Sequence, residues 1–163
     1  MRIALEQASL GAQTPGGAEV GAVLVKGGNV VCGTFNQGNM QNDPTAHAEI
    51  VAIRKGCEEL QSMTLEECTL YCTLQPCGMC TMACLWAGVS RIVYGAGRGD
   101  VNAVYFETRH ANTVDFIRDA FRNDLQVEGG VLNDECAALY QAKAEKPDGP
   151  LDPAHKPTKR PSF

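Results

Sequence analysis

The sequence predicts an α/β fold built on a mixed sheet, and three observations carry that reading. Two β-rich runs, VGAVLV at 20–25 and VVCGTF at 30–35, flank a Gly-Gly-Asn turn at 27–29, which makes an antiparallel hairpin. Two more, CTLYCTL at 68–74 and RIVYGA at 91–96, are joined by a stretch of helical length, which makes a parallel βαβ pair. A chain of 163 residues is the size of one domain with room for a real core.

From the start, Arg2 to about Gly11 reads as a helix, with Ile3, Leu5, Ala8 and Leu10 among polar residues, and TPGG at 14–17 breaks it. After the hairpin, Ile50, Ile53, Cys57 and Leu60 recur at helical spacing, and Thr45 behind Pro44 is the expected N-cap. MCTMACLWAGV at 79–89 is almost wholly apolar, so this helix is expected to be buried on most sides. Beyond Gly99, TVDFIRDAFRND at 113–124 predicts an amphipathic helix and LQVEGGVL at 125–132 a short strand and turn. NDECAALYQAKAE at 133–145 predicts a last helix capped by Asn133. Pro147, Pro150, Pro153, Pro157 and Pro161 follow, so the folded domain is expected over 1–142 and an extended tail over 143–163.

Charge narrows the partners. The chain carries −5, and residues 143–163 contribute +2, so the body stands at −7. A body that acidic is poorly suited to a phosphate backbone, whose binding rests on clustered Lys and Arg. No apolar run approaches the roughly 20 residues of a membrane span. The opening MRIALEQASL lacks the regions of a signal peptide, so a cytoplasmic location and no membrane partner are expected.

In such a compartment eight cysteines are thiols or metal ligands rather than disulfides. Cys32, Cys57, Cys68, Cys72, Cys84 and Cys136 are scattered among apolar neighbours and read as small buried hydrophobes. Cys77 and Cys80 are different: spaced by three at the start of a helix, they are roughly 60° from eclipsed and can converge on one point. The helix dipole there favours the thiolate that a metal needs. His47, at the start of another helix, supplies a third ligand. Three ligands with an open fourth position make the pattern of catalytic zinc, whereas Cys72 or Cys84 as a fourth would make the site structural. Glu49 decides between these readings. Two residues after His47 it points about 200° away, so both serve one site only if that site lies over the helix end. There a carboxylate can take and return the proton of a zinc-activated water, and the three parts together specify hydrolysis.

HAE at 47–49 followed by PCGMC at 76–80 fits H-x-E…P-C-x-x-C, and the chain resembles the zinc-dependent nucleobase deaminases. NDPTAHAEIVAIRKGC, TLYCTLQPCGMC, LWAGVSRIVYGA and GGVLNDECAAL are similar to the branch that holds bacterial guanine deaminases and tRNA adenosine deaminases, over roughly residues 18–142. The resemblance implies a three-layer α/β/α cytidine deaminase-like fold with a mixed five-stranded sheet, and a dimer or larger assembly. It implies zinc on His47, Cys77 and Cys80, with activated water attacking the carbon that bears the exocyclic amine. Glu49 then protonates the ring nitrogen and the departing ammonia, while the Ala48 amide and the Asn36 side chain hold the base.

Trp86 is, by default, a core or interface aromatic, yet bacterial guanine deaminases are similar in carrying Trp here. Phe106 and Glu107 resemble the Phe-acid pair with which those enzymes meet the purine, whereas Thr108 stands where a second acid is expected. Gln75 also departs from the branch, in which Glu commonly precedes the Pro-Cys step. The function expected is hydrolytic deamination of a small free base or nucleoside, purine-like and guanine deaminase-like, by a homodimer. The alternatives are deamination of a tRNA wobble adenosine and a non-catalytic zinc-stabilised binding protein, against which Glu49 argues.

Overall fold

The computed structural model describes residues 1–101 and 125–141. Among them the order is α1 (Arg2–Gln13), β1 (Ala18–Lys26), β2 (Asn29–Asn36), the single turn α2 (Gly38–Gln41), α3 (Ala48–Glu59) and β3 (Cys68–Leu74). Then come α4 (Gly78–Trp86), β4 (Arg91–Ala96), β5 (Gln126–Glu128) and α5 (Asn133–Gln141). The sheet runs β2-β1-β3-β4-β5, with β1 antiparallel to both its neighbours and the β3–β4 and β4–β5 pairs parallel. The predicted helix at 113–124 and the tail at 143–163 lie outside the described residues.

The hairpin closes through Gly27 and Gly28, whose φ values of +55° and +80° suit a two-residue turn that other residues resist. Asn29, expected in that turn, already pairs with Lys26 as the first residue of β2. One core lies between the sheet and α3 with α4, built from Ala22, Leu24, Leu70, Ile92, Ala48, Ala52 and Cys84. A second lies on the opposite face, where Cys136, Ala137 and Tyr140 of α5 meet Leu74, Ala96 and Leu5 of α1. The result is the three-layer α/β/α arrangement. Of the six scattered cysteines, Cys32, Cys68, Cys72, Cys84 and Cys136 are buried and Cys57 half-buried, and all eight thiols are free.

α1 comes close to β1 because its buried stripe is Ala4, Ala8 and Gly11, and β1 offers Gly21 beneath it. A β-carbon on Gly21 would fall onto the Ala4 carbonyl oxygen and 2.6 Å from the Ala8 amide nitrogen. Both obstacles are backbone, so Gly21→Ala is expected to cost about 3 kcal/mol, at the upper end for overpacking. A denaturant midpoint equal to that of the wild type would show that α1 can step away.

Three expectations are corrected. α3 begins at Ala48, not near Thr45: the Thr45 hydroxyl and amide both donate to Asp43 Oδ1, at 2.7 and 2.8 Å, and the cap falls to His47. Asp-Pro-Thr closes an Asx-type turn there, a local competitor of helix capping. Asn133 starts α5 rather than capping it, because its side-chain amide donates to the Gly95 carbonyl at 3.2 Å and to Asp100 Oδ2 at 3.0 Å. α4 is covered on one face only: Cys80, Thr81 and Cys84 are buried, while Met79, Met82 and Trp86 are 37%, 39% and 85% exposed. Among the described residues its buried face meets α3 and the sheet core. Among the described residues no helix is long and apolar enough to cross a membrane.

Candidate active site

The site forms where two helix starts meet over the end of β3. The β1–β3 ladder stops at Ala22 and Cys72. One step further the Gly21 amide donates to the Thr73 hydroxyl, at 3.0 Å, and that hydroxyl lies 2.8 Å from the Tyr140 hydroxyl of α5. β3 then delivers the chain through Gln75 and Pro76 to Cys77, the N-cap of α4. The Gln75 amide donates to the Ala96 carbonyl at 2.8 Å, and its side-chain oxygen accepts the Arg98 amide at 3.1 Å, so this turn is tied to the end of β4.

His47 arrives from the other side. The Gln37 amide bonds the Ala46 carbonyl at 2.9 Å and the His47 amide the Thr45 carbonyl at 2.8 Å. Asp43 anchors the same loop, and hydrogen bonds from Thr45, then Arg54, hold its carboxyl below the usual range. The Thr34 hydroxyl of β2 donates to the Ala48 carbonyl at 2.8 Å and fixes the start of α3 on the sheet. Thr34 and Asp43 are positioning residues that the motif does not include; the Asx-turn pattern was the available signal for Asp43, and nothing local marks Thr34.

His47 and Cys77 sit at their caps in extended backbone, neither making a side-chain cap hydrogen bond, and both side chains face a common point. Cys77 Sγ lies 3.7 Å from His47 Nδ1 and 3.6 Å from Cys80 Sγ, and Cys80 Sγ lies 3.6 Å from His47 Nδ1. Zinc with bonds of about 2.3 Å to sulfur and 2.0 Å to nitrogen at tetrahedral angles puts its ligand atoms about 3.5–3.8 Å apart. The triangle fits that ion. Among the described residues these three form the only group of three or more such donors, and Cys72 and Cys84 stay in the core, so the fourth position is open. Glu49, two residues after His47, is buried at 4% exposure beside the triangle.

Charge is arranged to match. The Cys80 thiol and the His47 imidazole beside it push Cys77 down to about 4, against the opposing pull of burial. Its thiol partner Cys80 moves well up, first through that contact and then through burial. His47 is raised, chiefly by its contact with the Cys77 sulfur. Burial pushes the Glu49 carboxyl up, and the charge on Cys77 adds to it. The site thus holds a thiolate, a proton-rich imidazole and a carboxyl able to carry a proton.

Residues 1–96 match the cytidine and deoxycytidylate deaminase zinc-binding region. The chain belongs to that family. Its deaminases are hydrolytic zinc enzymes that act on C–N bonds, and the triangle of His47, Cys77 and Cys80 could hold that zinc. The chain is 40% identical over 152 residues to a tRNA-specific adenosine deaminase of Haemophilus influenzae, covering 90% of itself and 84% of that protein. It is 41% identical over 91 residues to a guanine deaminase of Bacillus subtilis, covering 56% of itself and 58% of the relative. A solved structure from a study of A-to-I editing by tRNA:A34 deaminases superposes with a TM-score of 0.72 at 34% identity, covering 85% of this chain and 96% of that one.

The remaining predicted site residues divide. Asn36 ends β2, its side-chain oxygen accepting the Gly38 amide at 3.0 Å, and Ala48 is the first, fully buried residue of α3. Trp86 is not brought to the triangle of its own chain: it lies nine residues after Cys77, about half a revolution around α4, and 85% exposed. Phe106 and Glu107 lie outside the described residues.

Proposed function

We propose that this deaminase removes an exocyclic amino group from a small purine supplied as a free base or nucleoside, in the manner of a guanine deaminase. Both named relatives act on purines, adenosine in one case and guanine in the other. The observation that carries the choice of a small substrate is charge. Among the described residues the cations are Arg2, Lys26, Arg54, Lys55, Arg91 and Arg98. Four of these face carboxylates: Arg2 with Glu135 at 3.5 Å, Lys26 with Glu67 at 3.9 Å, Arg54 with Asp43 at 3.3 Å, and Arg91 with Glu128. The described residues thus spend most of their cations on carboxylates, and the chain as a whole carries −5, which disfavours a phosphate backbone. Free thiols at all eight cysteines suit a reducing cytoplasm.

Zinc, when bound, lowers the pKa of water towards neutrality and so supplies the nucleophile. His47, Cys77 and Cys80 would hold it. Glu49 would take one proton of the water and give it to the ring nitrogen as the C–O bond forms. It would then take the water's second proton and give it to the amine, which leaves as ammonia as the C–N bond breaks and the carbonyl forms; its raised pKa matches a group that must be charged at one step and protonated at the next. Asn36 has its side-chain oxygen committed to Gly38, which leaves its NH2 to donate to an acceptor on the base. The Ala48 amide, first in its helix, has no carbonyl four residues back and points from the helix end as a second donor. Phe106 and Glu107 would complete the purine contacts, by resemblance to guanine deaminases.

Met79, Met82 and Trp86, at spacings of three and four, form an apolar stripe along α4. The occupant that fits is the same stripe of a second copy, giving a homodimer in which Trp86 is covered. Trp86→Glu is expected to yield a monomer by light scattering; a dimer of unchanged stability would remove α4 from the interface.

One observation favours a second reading, a wobble adenosine in tRNA: the tRNA-specific relative aligns along 90% of this chain and the guanine deaminase along 56%. Fluorescence anisotropy with an adenosine-containing anticodon stem-loop separates the two. The small-purine reading expects no binding at physiological salt, and tight, salt-sensitive binding would overturn it.

A further inference from the structure

Residues 37–46 join Asn36, at the end of β2, to His47, at the start of α3, and their hydrogen bonds are almost wholly self-contained. The Gln41 amide bonds the Gln37 carbonyl, the Asp43 amide the Gly38 carbonyl and the Ala46 amide the Asp43 carbonyl, each at 3.0 Å. The Gln37 amide reaches the Ala46 carbonyl at 2.9 Å and clasps the two ends of the loop together. Side chains add the contacts of Thr45 with Asp43 Oδ1 and of Gln41 with Gln37. The flanking Asn36 and His47 aside, one other residue among the described residues bonds to this loop. Arg54, in the second turn of α3, donates through one terminal nitrogen to Asp43 Oδ2 at 3.3 Å and through the other to Thr45 Oγ1 at 3.4 Å.

A loop closed on itself moves as one piece, so its tilt is set by its ties to the frame. Ala46 is buried, whereas Asn42 and Pro44 are exposed, so packing seats one end and the Arg54 fork seats the Asp43–Thr45 corner. That corner bears on the metal triangle directly, because the Thr45 carbonyl accepts the His47 amide at 2.8 Å. Stability does not account for the fork. The Arg54 side chain is 56% exposed and that of Asp43 30%, and ion pairs so open to water contribute little. A planar guanidinium spans two acceptors in fixed geometry, which the point charge of a lysine does not. We propose that Arg54 is a positioning residue of the zinc site, its fork holding the Asp43–Thr45 corner against α3 and so setting where the loop delivers His47. The role is the same whichever substrate the site takes.

The test compares Arg54→Met, which removes the fork, with Arg54→Lys, which keeps only the charge. Metal-free Arg54→Met is expected to melt within about 3 °C of the wild type, as loss of an exposed pair should. Its zinc dissociation constant, from chelator competition, is expected to rise about tenfold, the lower end for residues that orient a metal ligand. The ligand-field bands of the cobalt-substituted protein shift with it, and Arg54→Lys restores neither affinity nor spectrum. In an Asp43→Asn background Arg54→Met is expected to change zinc affinity by much less than it does alone, since the two residues act through one contact. Wild-type zinc affinity with a superimposable cobalt spectrum in Arg54→Met would overturn the proposal, as would full rescue by Arg54→Lys. A metal-free Arg54→Met that melts about 10 °C or more below the wild type would also overturn it, since the fork would then hold the fold rather than the ligand.

Discussion

Glu49→Gln is expected to fold, bind zinc and release ammonia about 10²–10⁴-fold more slowly than the wild type, the range that general acid–base catalysis contributes. The amide has the carboxyl's shape and cannot carry its proton. Glu49 is 4% exposed, and burial before all else pushes its carboxyl up, so it is already tuned for exchange with a bound base. The substitution also removes a potential charge from a buried place, so the melting temperature should hold or rise. Turnover within a few-fold of the wild type would end the assignment of Glu49 as the proton carrier. Lost turnover with lost zinc would instead make it a residue that maintains the site.

Cys80→Ser has the second large effect, through the metal itself. Serine is a much poorer zinc ligand than a thiolate, and a site reduced to His47 and Cys77 keeps only two of its three strong donors. Zinc content after dialysis should fall to background and turnover with it. The same chemistry predicts proton release. In the metal-free site Cys80 holds its proton, His47 is raised, and Cys77, at about 4, has already lost its own near neutral pH. Zinc must displace the protons on Cys80 and on the charged fraction of His47, so uptake near pH 7 should release between about one and two protons. Acidification therefore weakens binding, since each displaced proton competes with the ion. Zinc uptake without acidification of a weakly buffered dye solution would contradict this arrangement of charge.

Much of this was legible because the informative contacts are local. CTLYCTL and RIVYGA read as strands to the residue, since each is bounded by turn residues and dense in β-branched and aromatic side chains. The zinc triangle was legible because its ligands stand at two helix starts, where residue type and spacing dictate geometry. What sequence misplaced depends on partners remote in the chain. Thr45 looks like a cap until Asp43 is seen to take both of its donors. Asn133 looks like one until Gly95 and Asp100 claim its amide. The apolar stretch at 79–89 predicts burial on most sides, but its composition does not say that Met79, Met82 and Trp86 face outward. Thr34 acts through a tertiary neighbour, the Ala48 carbonyl, and leaves no periodic signature at all.

The central claim is that a zinc site with Glu49 beside it deaminates a small purine. It is tested most directly by ammonia release from the zinc-loaded protein across free purine bases, their nucleosides and an adenosine-containing anticodon stem-loop. The account predicts turnover of at least one free base or nucleoside and none of the stem-loop; turnover of the stem-loop alone would contradict it.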